Sequence, residues 1–416
     1  MLKNYFKIAI AVLKRRKFFT FISLFGISLT LTILIVLTAF LDVLTSPAYP
    51  DVNRSKELFI NKIVLKSNKE NYTSQSPASF YFVNNFVSKM KTPEKIAIHT
   101  GRNTTNAYQK NKKMEVELMY TNVPFWEVYQ FEFVEGKSFN GRDLESAAQV
   151  AVISEDTRSK YFGEGALALG KYVEANNIKY RVIGVVKSAP ATMIYANSDI
   201  YLPYTLAKSG LKGTSLLGEY MVTLLAKSSA DLPLIKEEYS QLLKKVPHPE
   251  KNQEILLSYP DSYLESFTRE IFGNVGNEEG SGEERFFLMI GIFVFLFMLL
   301  PTINLVNINV SRIMERSSEI GVRKAFGASS RTLVGQFIVE NLILTVLGGI
   351  LGVLFSLLII AILNSSNLIT HMNLSINLTV LGYSLLACLI FGLMSGVYPA
   401  WKMSKLNVVT ALKANN

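Results

Sequence analysis

Cysteine and histidine are nearly absent from this chain: one cysteine, Cys388, and three histidines, His99, His248 and His371, in 416 residues. A lone thiol excludes an intrachain disulfide framework, and its place in an apolar run gives it a packing role. Histidines this far apart offer neither metal-ligand spacing nor a triad, so no metal site and no catalytic residue is predicted. Charge is also sparse where the chain is most apolar: only Asp42 and Glu340 intrude, each near the end of a run. An ion or proton path through a bilayer needs more than that. A nucleotide-binding loop is missing as well. Gly165 to Gly170-Lys171 has the spacing of one, but Tyr172 stands where a hydroxyl must hold magnesium. The stretch Tyr172 to Ile183 reads as two strands around Asn176-Asn177, not as the helix such a loop opens. No ATPase activity is expected of this chain.

Apolar length, by contrast, is abundant. Hydrophobic residues make up 49% of the chain, and they gather into four runs: Phe18–Leu44, Phe286–Asn309, Leu342–Leu363 and Leu378–Ala400. At about 1.5 Å per residue, roughly 20 helical residues cross the hydrocarbon layer, so each run is long enough. The first comes after a basic Lys14-Arg15-Arg16-Lys17 start, as in a signal peptide. Its apolar stretch is far longer than the usual h-region, which predicts a retained helix.

Basic residues mark the cytoplasmic ends of spans. Lys3, Lys7, Lys14, Arg15, Arg16 and Lys17 precede the first run. Arg312, Arg316, Arg323, Lys324 and Arg331 lie between the second and third, and Lys402, Lys405 and Lys413 come after the fourth. Against them stand only Glu315 and Glu319, while Ser46–Glu284 is close to neutral with 28 basic and 29 acidic residues. The net charge of +10 therefore belongs to one membrane edge, which argues against nucleic acid as a partner. This distribution predicts a multi-pass protein of the cytoplasmic membrane, with both termini inside and the large segment outside. The near nucleotide loop then lies where there is no ATP.

The predicted fold class is an integral membrane α-helical protein of four transmembrane helices, with a large extracytoplasmic mixed α/β (α+β) domain inserted between helices 1 and 2. Residues 1–17 form a cytoplasmic amphipathic helix, with Lys3, Lys7 and Lys14 on one face and Leu2, Phe6, Ala9 and Leu13 on the other. Spans are predicted at 18–44, 285–310, 332–363 and 378–400. Residues 45–284 are the outer domain, long enough for two lobes. A cytoplasmic loop occupies 311–331, a short outer loop 364–377 and a tail 401–416. In the outer domain the pattern predicts strands at Leu58–Leu65, Lys95–Thr100, Val116–Tyr120, Val150–Ile153, Tyr180–Val186, Tyr220–Ala226 and Glu254–Ser258. Helices are predicted at Ser79–Met90, Glu155–Phe162 and Asp231–Lys245, with a further helical stretch from Asp261 to Phe272. Gly348–Gly352 and Gly392–Gly396 match the small-xxx-small pattern that lets membrane helices pack closely.

The loop RIMERSSEIGVRKAFGASSR, Arg312 to Arg331, carries a mixed-charge stripe. On a helix, Arg312, Glu315, Arg316, Glu319 and Arg323 fall in an arc of about 100°, with Glu319 and Arg323 paired at i, i+4. Gly327 predicts a stop, and Ser329 or Ser330 an N-cap. Periodicity alone allows nothing beyond a solvated face.

Three stretches carry a family resemblance. SSEIGVRKAFGASSRTLVGQFIVENLILTVLGGILG resembles the core of the MacB/FtsX-type permeases, membrane subunits of ABC transporters that act by mechanotransmission. SGVYPAWKMSKLNVVTALK is similar to the same family's ending. QVAVISEDTRSKYFGEGALALGKYVEANNIKYRVIGVVKSAP resembles the MacB-like periplasmic core domain, of which the near nucleotide loop is an ordinary turn. The resemblance implies one span, a large periplasmic domain, then three spans. It also implies a second permease copy or paralogue as partner and a separate ABC ATPase subunit, which binds the ATP and magnesium that this chain does not. By the same resemblance Glu315, Arg316, Glu319, Ile320, Gly321, Arg323 and Lys324 belong to a coupling helix that docks in the ATPase. Export or efflux of antimicrobial peptides, drugs or other periplasmic substrates is the implied function, with a periplasmic adaptor and outer-membrane channel as further partners. Lipoprotein release and an FtsX-like non-transporting control of cell-wall hydrolases are the alternatives. The latter branch has a much smaller outer domain.

Overall fold

The first apolar run is one helix, α1 (Lys17–Thr45). Two of its buried hydroxyls bond to the helix's own carbonyls, as a lipid environment favours: Thr30 to Gly26 at 2.8 Å and Thr32 to Ser28 at 2.7 Å. The computed structural model describes residues 10–11, 15, 17–67, 72–109, 112–207, 211, 213–247, 255–272, 280–315, 322, 326, 329–366 and 370–404. The predicted surface helix at 1–17 and the tail from 405 lie almost wholly outside the described residues. The chain forms two compact units, an outer one of Val43–Phe286 with Ile369–Met372, and a membrane one containing the rest.

Thirteen strands appear among the described residues of the outer unit. They are β1 (Glu57–Ile60), β2 (Ile63–Ser67), β3 (Tyr72–Ser76), β4 (Lys95–Thr100), β5 (Asn103–Gln109), β6 (Lys112–Thr121), β7 (Phe133–Gly136), β8 (Val150–Ser154), β9 (Tyr172–Ala175), β10 (Ile178–Val186), β11 (Ile200–Pro203), β12 (Tyr220–Leu225) and β13 (Ile255–Ser258). Interspersed are α2 (Phe80–Asn85), α3 (Phe125–Val128), α4 (Gly141–Glu145), α5 (Glu155–Phe162), α6 (Leu232–Leu243) and α7 (Tyr263–Phe272). The larger sheet runs β1-β12-β4-β6-β11-β8-β10-β9-β5, with β7 on β10. Because β5 also pairs with β6, the strands from β6 to β5 close on themselves. Inside that ring sit Val116, Leu118, Ile153, Val173, Tyr180, Val182 and Ile200, a core of their own. The β8–β10 and β6–β11 pairs are parallel and the other pairs antiparallel, a mixed sheet of the expected α+β kind.

Two local expectations are corrected. The single strand predicted over Leu58–Leu65 is two, because the chain steps between sheets at Asn61-Lys62. β1 joins the large sheet beside β12, whereas β2 joins β3 and β13 in the small one. Both halves are apolar and buried on both faces, so no alternation marks the break. Asn61 fixes the step by donating to Tyr195 and Ser266, each at 2.6 Å. The helix predicted over Ser79–Met90 ends at Asn85, since Phe86 leaves helical geometry and only a 3-10 turn, Val87–Lys89, succeeds it. β3, β5, β7 and β11 lie outside the predicted strands.

The membrane unit continues with α8 (Glu283–Glu315), α9 (Ser330–Ser365) and α10 (Leu378–Ser404). With α1 these are four helices long and apolar enough to span a bilayer, at mean hydropathies of 2.5, 2.7, 2.9 and 2.0. Their apolar windows are 44%, 6%, 28% and 28% buried, so α1 is the enclosed helix and α8 the least covered.

Candidate coupling loop and its supports

Small residues set the helix contacts of the membrane unit. A Cβ on Gly348 would lie 2.7 Å from Ile27, and one on Gly352 2.9 Å from Leu31 and 3.0 Å from the Ser28 carbonyl. Thr32 directs its hydroxyl to Gly352 as well, at 3.1 Å from the carbonyl. On α10, Gly392 faces Thr345 and Gly396 faces Asn341, each too closely for any side chain. Ascending numbers on α1 meet ascending numbers on α9, whereas α10 meets α9 in descending order. The first and third spans thus run the same way and the fourth runs opposite, as serial crossing of one bilayer demands.

Beneath the loop that joins α8 to α9 lies a polar layer. Asn309 donates through Nδ2 to Asn341 Oδ1 at 3.0 Å and to the Ser395 carbonyl at 3.1 Å, tying α8, α9 and α10 together. Asn309, Gln336, Glu340, Asn341, Thr345 and Ser395 are all buried there. Sequence reasoning misses this layer. The available signal is three asparagines at the end of the second apolar run, which hydropathy registers only as a softened boundary.

Of the predicted coupling residues, Glu315 closes α8 and is exposed. Arg316, Glu319, Ile320, Gly321, Arg323 and Lys324 lie outside the described residues. Within the loop, Val322 is helical and receives a backbone bond from Phe326 at 3.0 Å. Both are exposed, Phe326 at 89%. Ser329 caps α9, accepting from the Thr332 amide at 3.2 Å, as its position predicts. The sequence reading follows charge and does not single out the apolar pair Val322 and Phe326, although at 100° per residue both fall within or beside the charged arc.

The near nucleotide loop is already occupied. Glu135 Oε2 accepts from the amides of Ala168 and Leu169 at 3.0 and 3.4 Å, which are the kind of donors a phosphate would need. Lys171 lies over the Phe162 ring, 5.2 Å from its centroid. The chain then enters β9 and turns at Asn176 and Asn177, both at positive φ, into β10.

Two arginines organise the root of the outer unit. Arg54 is 4% exposed and uses every nitrogen. Its Nε bonds to Asp51 at 2.8 Å, Nη1 to the carbonyls of Val43 and Ser46 at 2.8 and 3.2 Å, and Nη2 to the Met193 sulfur at 2.7 Å. Its plane rests 4.0 Å from the centroid of Tyr263. Val43 and Ser46 flank the C-terminus of α1, so Arg54 supplies that helix end with the donors its carbonyls lack. Arg269 on α7 grips Asp261 with Nε and Nη2, at 2.5 and 2.9 Å, and reaches the Gly280 carbonyl at 3.1 Å, just before α8. His371 and Thr370, from the short outer loop, also belong to the outer unit. His371 Nε2 lies 2.7 Å from Asp156 Oδ2, and the Thr370 carbonyl accepts from the Ala191 amide.

Among the described residues no cluster of three metal-ligating side chains is found.

Four spans with a large mixed domain inserted after the first are the plan of a permease of ABC transporters. The MacB-like periplasmic core domain matches residues 20–242, and the FtsX-like permease C-terminal domain matches 291–408. The chain belongs to this MacB/FtsX-type permease family. It is similar to the pyoverdine export ATP-binding/permease protein PvdT of Pseudomonas syringae pv. syringae (strain B728a), at 29% identity over 68% of this chain and 41% of the relative. It is also similar to the macrolide export ATP-binding/permease protein MacB of Salmonella choleraesuis (strain SC-B67), at 27% identity over 69% and 42%. The chain thus spans about two fifths of the length of these curated relatives. Among solved structures, the periplasmic region of MacB from Actinobacillus actinomycetemcomitans aligns with 52% of this chain and 94% of its own, at 18% identity and a TM-score of 0.37.

Proposed function

We propose that this permease relays ATP-driven motion from a separate ATPase subunit to its periplasmic domain, and so exports antimicrobial peptides, drugs or other periplasmic substrates. The observation that carries the reading is the loop between α8 and α9. It presents Glu315, Val322 and Phe326 to solvent, while Asn309 and Asn341 bond the two helices flanking it. A solvent-facing apolar pair beside a mixed-charge stripe suits docking in a groove, the apolar pair for affinity and the charges for orientation. Glu315, Arg316, Glu319, Ile320, Gly321, Arg323 and Lys324 are the proposed contacts. ATP and magnesium bind on the partner, and a second permease completes the assembly, with an adaptor and outer-membrane channel beyond it. Both termini and the loop face the cytoplasm. The export names of the pyoverdine and macrolide relatives support cargo movement over the alternatives.

Motion of the loop would pass along the spans, since the polar layer makes α8, α9 and α10 move together. No substrate path through the bilayer is required. Replacing Glu319 and Arg323 together by alanine in the reconstituted complex tests this. The double variant should hold its ATPase yet lose the coupling of hydrolysis to transport, and unchanged coupling refutes the docking role.

A further inference from the structure

The most enclosed carboxyl groups of the outer unit, Glu57 and Asp51, take no part in the relay. Glu57, on β1, is 0% exposed and Asp51 is 2% exposed. Among the described residues, neither Glu57 oxygen receives a hydrogen bond from an N–H or hydroxyl donor, and neither does Asp51 Oδ1. The two carboxyl groups are instead within hydrogen-bonding reach of each other. The adjacent cation, Arg54, is committed elsewhere: to Asp51 Oδ2, two carbonyls and a sulfur. One guanidinium thus faces two carboxyl groups.

If both were ionised, two like charges would touch in a site closed to water, with only one cation to balance them. That is among the costliest arrangements in a protein interior. One proton removes the conflict. Placed on Glu57, it gives the row Glu57 O–H to Asp51 carboxylate, itself accepting from Arg54 N–H, in which two of the three orphaned oxygens are partnered and the net charge is zero. The surrounding groups cannot supply this balance. Tyr129 bonds to Thr223 at 2.8 Å, Tyr263 donates to the Thr192 carbonyl at 3.0 Å, and Tyr195 contacts Ser266 at 2.8 Å. His99 is held neutral by burial.

We propose that Glu57 and Asp51 form a proton-binding site, in which a single shared proton keeps Arg54 locked onto the end of α1. Burial, then the neighbouring Asp51 charge, raises Glu57 well above the usual carboxylate range, in the same direction as the geometry. Loss of that proton leaves a buried net negative charge that draws in water or pulls Arg54 from the Val43 and Ser46 carbonyls. The root of the outer unit therefore loosens as pH rises.

Infrared spectroscopy of the full-length protein in detergent micelles tests the site directly. At about pH 7, where exposed carboxyls are ionised, the wild-type protein should retain a protonated-carboxyl carbonyl band that is lost in Glu57→Gln. The amide of that variant can still donate to Asp51, so the fold should persist. Asp51→Asn removes the like charge and leaves Glu57 facing Arg54, so the band should be lost at a lower pH than in wild type, which covers the case that Glu57→Gln does not fold. The melting temperature of wild type should fall on raising pH above neutral, and that of Glu57→Gln should change less. An absent band in wild type, or the same band in wild type and Glu57→Gln, overturns the proposal whatever the outcome for ATPase coupling.

Discussion

Asn309 Nδ2 lies 3.0 Å from Asn341 Oδ1, one amide on each of the two helices that flank the loop between α8 and α9. In an apolar surrounding neither amide has water to fall back on, although measured worth of such pairs is modest, about 1 kcal/mol. Asn309→Leu removes this bond and the one to the Ser395 carbonyl together. We expect a loss of about 1–2 kcal/mol, read as a lower midpoint in denaturing-detergent titration. An unchanged midpoint would mean the layer adds nothing to the packing of α8.

Close helix approach makes a sharper prediction, because the same helix contains its own control. A side chain at Gly396 must enter the space of Asn341, whereas Gly382 on α10 has nothing within 4 Å of its would-be Cβ. Gly396→Val should cost about 1–3 kcal/mol by overpacking, and Gly382→Val should cost little. The comparison is made by folded yield and thermal midpoint in the same detergent. Equal behaviour of the two variants would remove Gly396 from the packing interface.

The membrane plan is legible in the sequence because hydropathy and basic residues act over whole segments and need no partner to be read. The order of spans, the inserted domain and the Ser329 cap all come from local composition. The closed ring is not legible: β5 and β6 are consecutive and pair locally, but closure also needs β5 beside β9, Ala107 opposite Ala175, and these strands are far apart in sequence with no turn signal linking them. Arg54 is hidden for a related reason. In sequence it is one of 43 basic residues, set in a segment close to neutral, and only the fold brings Val43, Asp51, Met193 and Tyr263 around it. Most of the proposed loop contacts rest on resemblance and charge spacing, which identify a surface without showing what docks there.

Arg54→Lys isolates what the guanidinium does beyond its charge. An ammonium can pair with Asp51, but it cannot also serve two carbonyls and lie flat against Tyr263. The loss should be about 2–3 kcal/mol, from buried carbonyls left without donors. Thermal unfolding of the full chain at neutral pH checks it, and a shift near zero would show that the charge alone fastens the end of α1.

His99 contributes to how the outer unit responds to acid. Burial pushes it down from the ordinary 6.5 to about 4. Its Nδ1 faces the Thr100 carbonyl at 3.2 Å, which can only accept, so Nδ1 carries the proton and Nε2 accepts from Thr223. The folded state thus binds fewer protons than the unfolded chain between these two values. Stability from this group is complete above 6.5 and declines as pH falls towards 4, by at most about 3 kcal/mol. His99→Gln should flatten that part of the pH–stability curve while lowering its plateau. A wild-type slope that survives the substitution would assign the acid response to other groups.

Phe326 offers the most direct test of the docking face. At 89% exposure it contributes little to the fold of the described residues, so truncation should leave the permease intact. Its cost appears only if another protein covers it. Buried aromatic anchors commonly supply more than about 1 kcal/mol to an interface, so Phe326→Ala should weaken binding of the ATPase subunit about fivefold or more. Titration of the permease in nanodiscs with its ATPase subunit measures this, and Leu378→Ala, an exposed apolar residue at the other end of the spans, serves as the control. If Phe326→Ala binds as tightly as the wild-type protein, the aromatic side chain lies outside the contact and the charged stripe must act alone.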